Sequence, residues 1–218
     1  MRFGIIGTGT VGRTLAGKLL SLGHEVTIGS RSRESSAATS WADEAGPRGH
    51  GGSFADAAAF GEMIINATAG GVSLKALHAA GADALAGKVL IDVSNPLVFS
   101  PEGEVGLDPV SDDSVGERIQ REFPQTRVVK ALNTMSAPVM VEPGRVPGEH
   151  NAFVAGNDAE AKAEVVALLA QFGWPAGSVL DLGDIKGARG MEMLMPFWLR
   201  LMGHFGTTDF NYSLRSAG

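Results

Sequence analysis

Short apolar runs alternate along this chain with segments whose apolar positions recur every three or four residues. Phe3 to Ile6 reads as a buried strand, and Val11, Leu15, Leu19 and Leu22 then fall on one helical face that Gly23 closes. The alternation continues with a strand over Glu25 to Ile28, a helix over Arg33 to Glu44 and a weak strand over Arg48 to Ser53. A helix over Phe54 to Phe60 and a strand over Glu62 to Ala67 follow. Leu74 to Leu85 is expected to be helical with a break at Gly81, with strands at Lys88 to Val93 and Arg127 to Leu132. Residues 95–112 hold Pro96, Pro101 and Pro109 with little periodicity, and are expected to be an irregular loop on the active side. Ser114 and Glu117 have the spacing of a capping box, opening a helix that ends before Pro124. Ala152 to Ala155 reads as a strand, Asn157 and Glu160 open a helix closed by Gly173, and Val179 to Leu182 gives the last strand. Lys186 to His204 is expected to be a helix interrupted at Pro196.

Strands separated by helices need crossover connections, and so a mostly parallel sheet. The expected fold is α/β: a Rossmann-like, doubly wound sheet over residues 1–184, followed by a small helical C-terminal segment over 185–218. In that segment Met191, Met193, Met195, Phe197, Trp198, Leu199, Leu201, Met202 and Phe205 make a helix apolar on most sides. Such a helix needs cover all round. A partner subunit in a homodimer would supply it, and flexible methionines could also line an acceptor pocket.

The loop after the first strand carries candidate chemistry. Gly7-Thr8-Gly9-Thr10-Val11-Gly12 fits G-x-G-x-x-G, directly between an apolar strand and an amphipathic helix, with another strand within about 30 residues. Gly7 permits a tight turn, Gly9 lets the backbone approach a pyrophosphate, and Gly12 lets helix and strand pack closely. The diphosphate would then rest on free N–H groups at the positive end of the helix. An NAD site usually places Asp or Glu at the tip of the second strand, on the ribose hydroxyls. Here the tip reads Gly29-Ser30-Arg31-Ser32-Arg33. Ser30, Arg31 and Arg33 offer charge-assisted donors to a 2′-phosphate, where a carboxylate would repel it. Glu34 follows and is expected inside the helix. The cofactor indicated is NADP.

Composition narrows the remaining classes. The chain of 218 residues has no cysteine, which removes disulfides, thiolate catalysis and Cys-ligated metal. A net charge of −6 argues against nucleic acid as a partner. No charged leader with a cleavage site precedes the first strand, and the apolar run Met193 to Leu199 is far short of the roughly 20 residues of a membrane span. A cytoplasmic protein without a membrane partner is expected. His24, His50, His78, His150 and His204 are scattered without metal-ligand spacing, so no metal site is expected. Neither H-E-x-x-H nor G-x-S-x-G occurs. Lys130 lies within a strand and reads as structural.

The segment Gly23-His24-Glu25-Val26-Thr27-Ile28-Gly29-Ser30-Arg31 resembles the second-strand signature of NADPH-dependent oxidoreductases of the coenzyme F420 (deazaflavin) type. Asp92-Val93-Ser94-Asn95-Pro96-Leu97 and Val129-Lys130-Ala131-Leu132-Asn133-Thr134 are similar to the fifth- and sixth-strand segments of that family. Phe153 to Asp158, then Asp181-Leu182-Gly183 with Arg189 and Glu192, follow in family order. The resemblance implies hydride transfer between NADP(H) and a deazaflavin or flavin-like small-molecule acceptor, and a homodimer. It also implies a crevice at the C-terminal strand ends, with Ala67, Thr68 and Ala69 along the cofactor and Asn95 and Asn133 near the nicotinamide.

Hydride transfer between two ring cofactors needs alignment and dryness more than a protein acid or base. The amides of Asn95 and Asn133 could hold the nicotinamide carboxamide or a substrate carbonyl, or could cap local structure. Met135 and Pro138 could wall a flat ring or belong to the core. Two alternatives stay open. One is an NADPH-dependent reductase of a small carbonyl or imine, for which Tyr212 or His204 could give the proton. The other is an NADPH-sensing module without turnover.

Overall fold

A computed structural model describes residues 1–102 and 104–217. The first half alternates β1 (Arg2–Ile6), α1 (Thr10–Ser21), β2 (Glu25–Ser30), α2 (Ser36–Ala45), β3 (Gly49–Ser53), α3 (Phe54–Phe60), β4 (Met63–Asn66), α4 (Gly70–Ala80), α5 (Ala82–Leu85) and β5 (Val89–Asp92). Then come β6 (Leu97–Phe99), β7 (Val105–Leu107), α6 (Val115–Glu122), β8 (Arg127–Ala131), α7 (Ala137–Val141), β9 (Ala152–Gly156), α8 (Ala159–Phe172), β10 (Val179–Asp181), α9 (Gly187–Met193) and α10 (Met195–Phe205).

The main sheet has the order β10-β9-β8-β5-β4-β1-β2-β3. From β3 to β8 the strands run parallel; β9 is antiparallel to β8, and β10 is parallel to β9. The chain winds outward from β1 to β3, then returns to β4 on the other side of β1. The strand order therefore reverses between β1 and β4, where the loops leaving the two strands diverge and a crevice opens. The fold is the expected Rossmann-like α/β sheet with a helical C-terminal segment.

The continuous apolar runs of the central strands reflect burial on both faces. Ile5, Ile65, Ile91 and Val129 point into one layer with Leu15, Leu19, Val139 and Leu169. Their neighbours Ile6, Ile64, Leu90 and Val128 point into the other, with Ala57, Leu77 and Ile119. Each such side chain contributes about 1.5–3 kcal/mol when fully buried.

Several expectations need correction. Residues 95–112 are not wholly irregular: β6 and β7 pair as an antiparallel ribbon, Leu97 opposite Leu107 and Phe99 opposite Val105. Leu97 and Leu107 pack against Met195, Trp198 and Phe210, so tertiary contact holds a ribbon that the prolines hid in the sequence. Gly103 lies outside the described residues. Helix α2 begins at Ser36, after Ser35, so Arg33 and Glu34 lie in the preceding turn. The Ser114 hydroxyl accepts from the Glu117 N–H, but the Glu117 carboxylate takes the Ser114 hydroxyl and the Arg189 guanidinium instead of closing the box. The Arg189 pairing holds Glu117 well below the usual carboxylate pKa. A complete box forms at Ser53 and Asp56, ahead of α3. Asp158, not Asn157, caps α8; its hydrogen bond to Arg127, with the Ala161 N–H, lowers its pKa to about 2. The expected interruption of the C-terminal helix is present: it breaks at Leu194 into α9 and α10, because Pro196 in the first turn of α10 cannot continue the α9 ladder.

Candidate functional site

The loops leaving β1, β2, β4, β5 and β8 converge at the C-terminal edge of the parallel strands. Gly7 has φ 120°, and the Gly7 N–H donates to the Gly29 carbonyl at 3.0 Å. A Cβ at Gly12 would lie 2.3 Å from the Gly7 carbonyl oxygen, so α1 can begin this close to β1 only without a side chain there. A Cβ at Gly9 would meet no heavy atom within 4 Å. No side chain caps α1. Its first N–H groups, on Thr10, Val11 and Gly12, therefore have no capping side chain and can receive an anion.

Beside this loop lies a cavity of about 590 Å³ lined by Gly7, Thr8, Ser30, Arg31, Ser32, Ser35, Ala37 and Phe54. Its charged lining residue is Arg31, and no carboxylate lines it. Arg31 has no ion-pair or hydrogen-bond partner among the described residues, so its donors are available to a ligand. The turn is held by its own side chains. Ser30 Oγ donates to the Ser32 carbonyl at 2.6 Å, and Ser32 Oγ donates to Glu34 Oε2 at 2.5 Å. That bond keeps Glu34 ionised to lower pH than usual and ties its carboxylate to the turn. Arg13, which sequence reasoning passed over, bridges the Thr8 carbonyl at 3.0 Å and the Ala37 carbonyl at 2.8 Å, clamping the glycine loop to the start of α2.

A second cavity of about 420 Å³, lined by Arg31, Phe54, Thr68, Val72, Lys75, Ala76 and Ala79, adjoins the first. Arg31 and Phe54 belong to both. Its apolar walls with cations at the rim suit a flat base. Lys75, Phe54 and Ser35 had no motif to mark them; only the fold brings them to this edge.

Arg33 does not join Arg31. Its guanidinium pairs with Asp56 and lines a separate depression with Thr27, His50, Gly51 and Phe60. A larger cavity of about 710 Å³ lies between residues 148–151, 175–178 and 214–216, but none of the glycine-loop residues borders it.

At the exits of β4, β5 and β8 the polar groups bond to one another. Thr68 Oγ1 donates to Asn66 Oδ1 at 2.7 Å. Ala67 and Ala69 flank Thr68, and the Ala67 N–H donates to the Ile6 carbonyl. Asn95 Nδ2 donates to the Asn133 carbonyl at 2.8 Å, and Asn133 Nδ2 donates to Asn95 Oδ1 at 2.9 Å and to the Met191 carbonyl at 3.1 Å. Asn133 Oδ1 is buried without a partner. The two amides thus clasp each other, and Asn133 reaches α9. Met135 belongs to the core, while Pro138 is exposed in the first turn of α7. His204 is exposed near the end of α10. Tyr212 stacks on Phe197, its hydroxyl buried and unpaired, and burial raises its pKa.

The fold matches known proteins. A crystal structure of a proposed F420-dependent NADP reductase from Arthrobacter sp. FB24 superposes with a TM-score of 0.94 at 52% identity, covering 99% of this chain and 100% of that one. The family profile described as NADP oxidoreductase, coenzyme F420-dependent, matches residues 2–96. The chain belongs to that family. The family's description is that of NADP-dependent oxidoreductases. It is also similar to the metalloreductase STEAP3 of Rattus norvegicus, 30% identical over 90% of this chain and 38% of that protein. The chain thus spans well under half the length of its curated metalloreductase relatives. A Streptomyces aurantiacus imine reductase shares the fold at TM-score 0.65 and 21% identity, over 96% of this chain and 69% of that one. Among the described residues no helix is long and apolar enough to cross a membrane.

Proposed function

We propose that this protein transfers hydride between NADP(H) and coenzyme F420, the deazaflavin in the family's description. The carrying observation is the cavity beside the glycine loop, whose charged lining residue is the unpartnered Arg31. In this reading the cofactor diphosphate rests on Gly7 to Gly12, and the 2′-phosphate meets Arg31 and the Ser35 hydroxyl, while the Ser30 and Ser32 hydroxyls, engaged with the Ser32 carbonyl and Glu34, hold the turn. The adenine lies against Phe54 and Val72, with Ala67, Thr68 and Ala69 alongside, and the nicotinamide reaches the Asn95–Asn133 clasp. Arg33, engaged with Asp56, takes no part. When bound, the two ring cofactors supply the hydride donor and acceptor, so the chain's own task is to orient them and exclude water.

Residues 185–218 would complete the acceptor side and a dimer contact. Phe197 and Phe205 on α10, Met193 on α9, and Val98 and Phe99 on the ribbon packed against α10 expose large apolar side chains. A second copy of this chain gives the cover they need. Sedimentation equilibrium is expected to return two chains per particle; a monomer across the concentration range would contradict this.

The acceptor is tested by following NADPH oxidation against F420, free flavins, a ferric chelate and small carbonyls. Turnover of F420 well above the others is expected. Turnover of only a flavin, the ferric chelate or a carbonyl would keep the NADPH site and overturn the deazaflavin assignment.

A further inference from the structure

Lys130 on β8 is fully enclosed. Its Nζ donates to Asp92 Oδ2 at 2.9 Å, Glu192 Oε1 at 2.7 Å and the Ser94 carbonyl at 2.6 Å. Three acceptors match the three N–H bonds of an ammonium group. Burial works against the charge, but the flanking Asp92 and Glu192 carboxylates outweigh it, raise the Lys130 pKa and keep the group cationic. The carboxylates are held in turn. Asp92 Oδ1 accepts from Asn66 Nδ2 at 2.9 Å, and Glu192 accepts from the Val115 and Gly116 N–H groups at the start of α6.

Stability alone is a weak reason for such a cluster. A buried ion network is often no better than well-packed apolar side chains of the same volume. What distinguishes this one is where its partners lie. Ser94 is joined to Asn95, and Glu192 is joined to Met191, whose carbonyl accepts from Asn133. Between Lys130 and Asn133 stands Leu132, a buried non-glycine residue with φ 62°. A left-handed non-glycine residue of this kind is strained and persists where its surroundings fix it. The turn it makes directs Asn133 across to Asn95.

We infer that Lys130 is a positioning residue for the nicotinamide end of the cofactor, fixing the exits of β5 and β8 against α9 so that the Asn95–Asn133 clasp is held in one arrangement. It touches neither cavity beside Arg31, so the adenosine end is outside its reach. The inference rests on the cofactor placement proposed above.

The test compares two ligands that differ in the nicotinamide half: NADPH, and 2′-phospho-ADP-ribose, which lacks the ring. In Lys130→Met the Kd for NADPH is expected to rise about tenfold, while that for 2′-phospho-ADP-ribose stays within about twofold. Because Lys130→Met strands two buried carboxylates and so lowers the stability of the fold, the double variant Lys130→Met/Glu192→Gln is measured beside it. That variant keeps the net charge of the cluster: one cation and two carboxylates sum to −1, as does the single remaining carboxylate. It is expected to recover most of the lost Tm but not the NADPH affinity. Recovery of NADPH affinity together with Tm, or equal weakening of both ligands, would overturn the inference and leave Lys130 a structural residue. Failure of the unmodified protein to bind either ligand would instead overturn the cofactor placement, and this inference with it.

Discussion

Gly9→Val is expected to abolish measurable NADPH binding while leaving Tm within a few degrees of the wild-type value. Gly9 has φ −74° and ψ −179°, extended backbone that valine adopts readily, and a Cβ there would touch no protein atom within 4 Å. The added side chain therefore costs the fold little. It does occupy the space above the α1 N-terminus, where a diphosphate would sit on free N–H groups. Losing two charged hydrogen bonds at about 1.5 kcal/mol each weakens binding by at least about 100-fold. Gly12→Ala is the informative contrast. Its Cβ would lie 2.3 Å from the Gly7 carbonyl oxygen, so helix and strand must separate, costing about 1–3 kcal/mol of stability before any ligand is added. Undiminished NADPH affinity in Gly9→Val would mean that the cofactor does not use this loop.

Arg31→Ala carries the second large expectation: NADPH weakened by about 10- to 100-fold, with NADH changed little, as loss of a charge-assisted pair to the 2′-phosphate requires. Arg31 has no partner to strand among the described residues, so Tm should not fall. Arg33→Ala gives the control, because its guanidinium serves Asp56 in a different depression. It is expected to leave the preference for NADPH intact. Isothermal titration with both nucleotides reads all three proteins, and equal weakening of NADPH and NADH in Arg31→Ala would remove the phosphate assignment.

The sequence made the parallel part of the sheet legible because burial on both faces turns the cores of β1, β4 and β5 into short apolar runs flanked by helical periodicity. The direction of β9 and β10 was not legible, since an apolar run reads the same in either sense. The β6–β7 ribbon was hidden because Pro96 and Pro101 mask strands held by distant Trp198 and Phe210. At the site, Gly7, Gly9 and Gly12 were readable because local backbone geometry alone demands them. Ser30 and Arg31 were readable from their place at the tip of β2. Arg33 looked equivalent by sequence, but the turn after Arg31 sends it to Asp56. Lys130 reads from the sequence as a residue within a strand, while its partners Asp92 and Glu192 come from distant elements, and no local pattern joins them. The same holds for the clasp of Asn95 with Asn133.

The most direct test of the account is a calorimetric titration of the unmodified protein with NADPH and with NADH. The Arg31 cavity predicts that NADPH binds more tightly by at least about tenfold, the worth of one charge-assisted hydrogen bond. Equal affinities, or a preference for NADH, would contradict it.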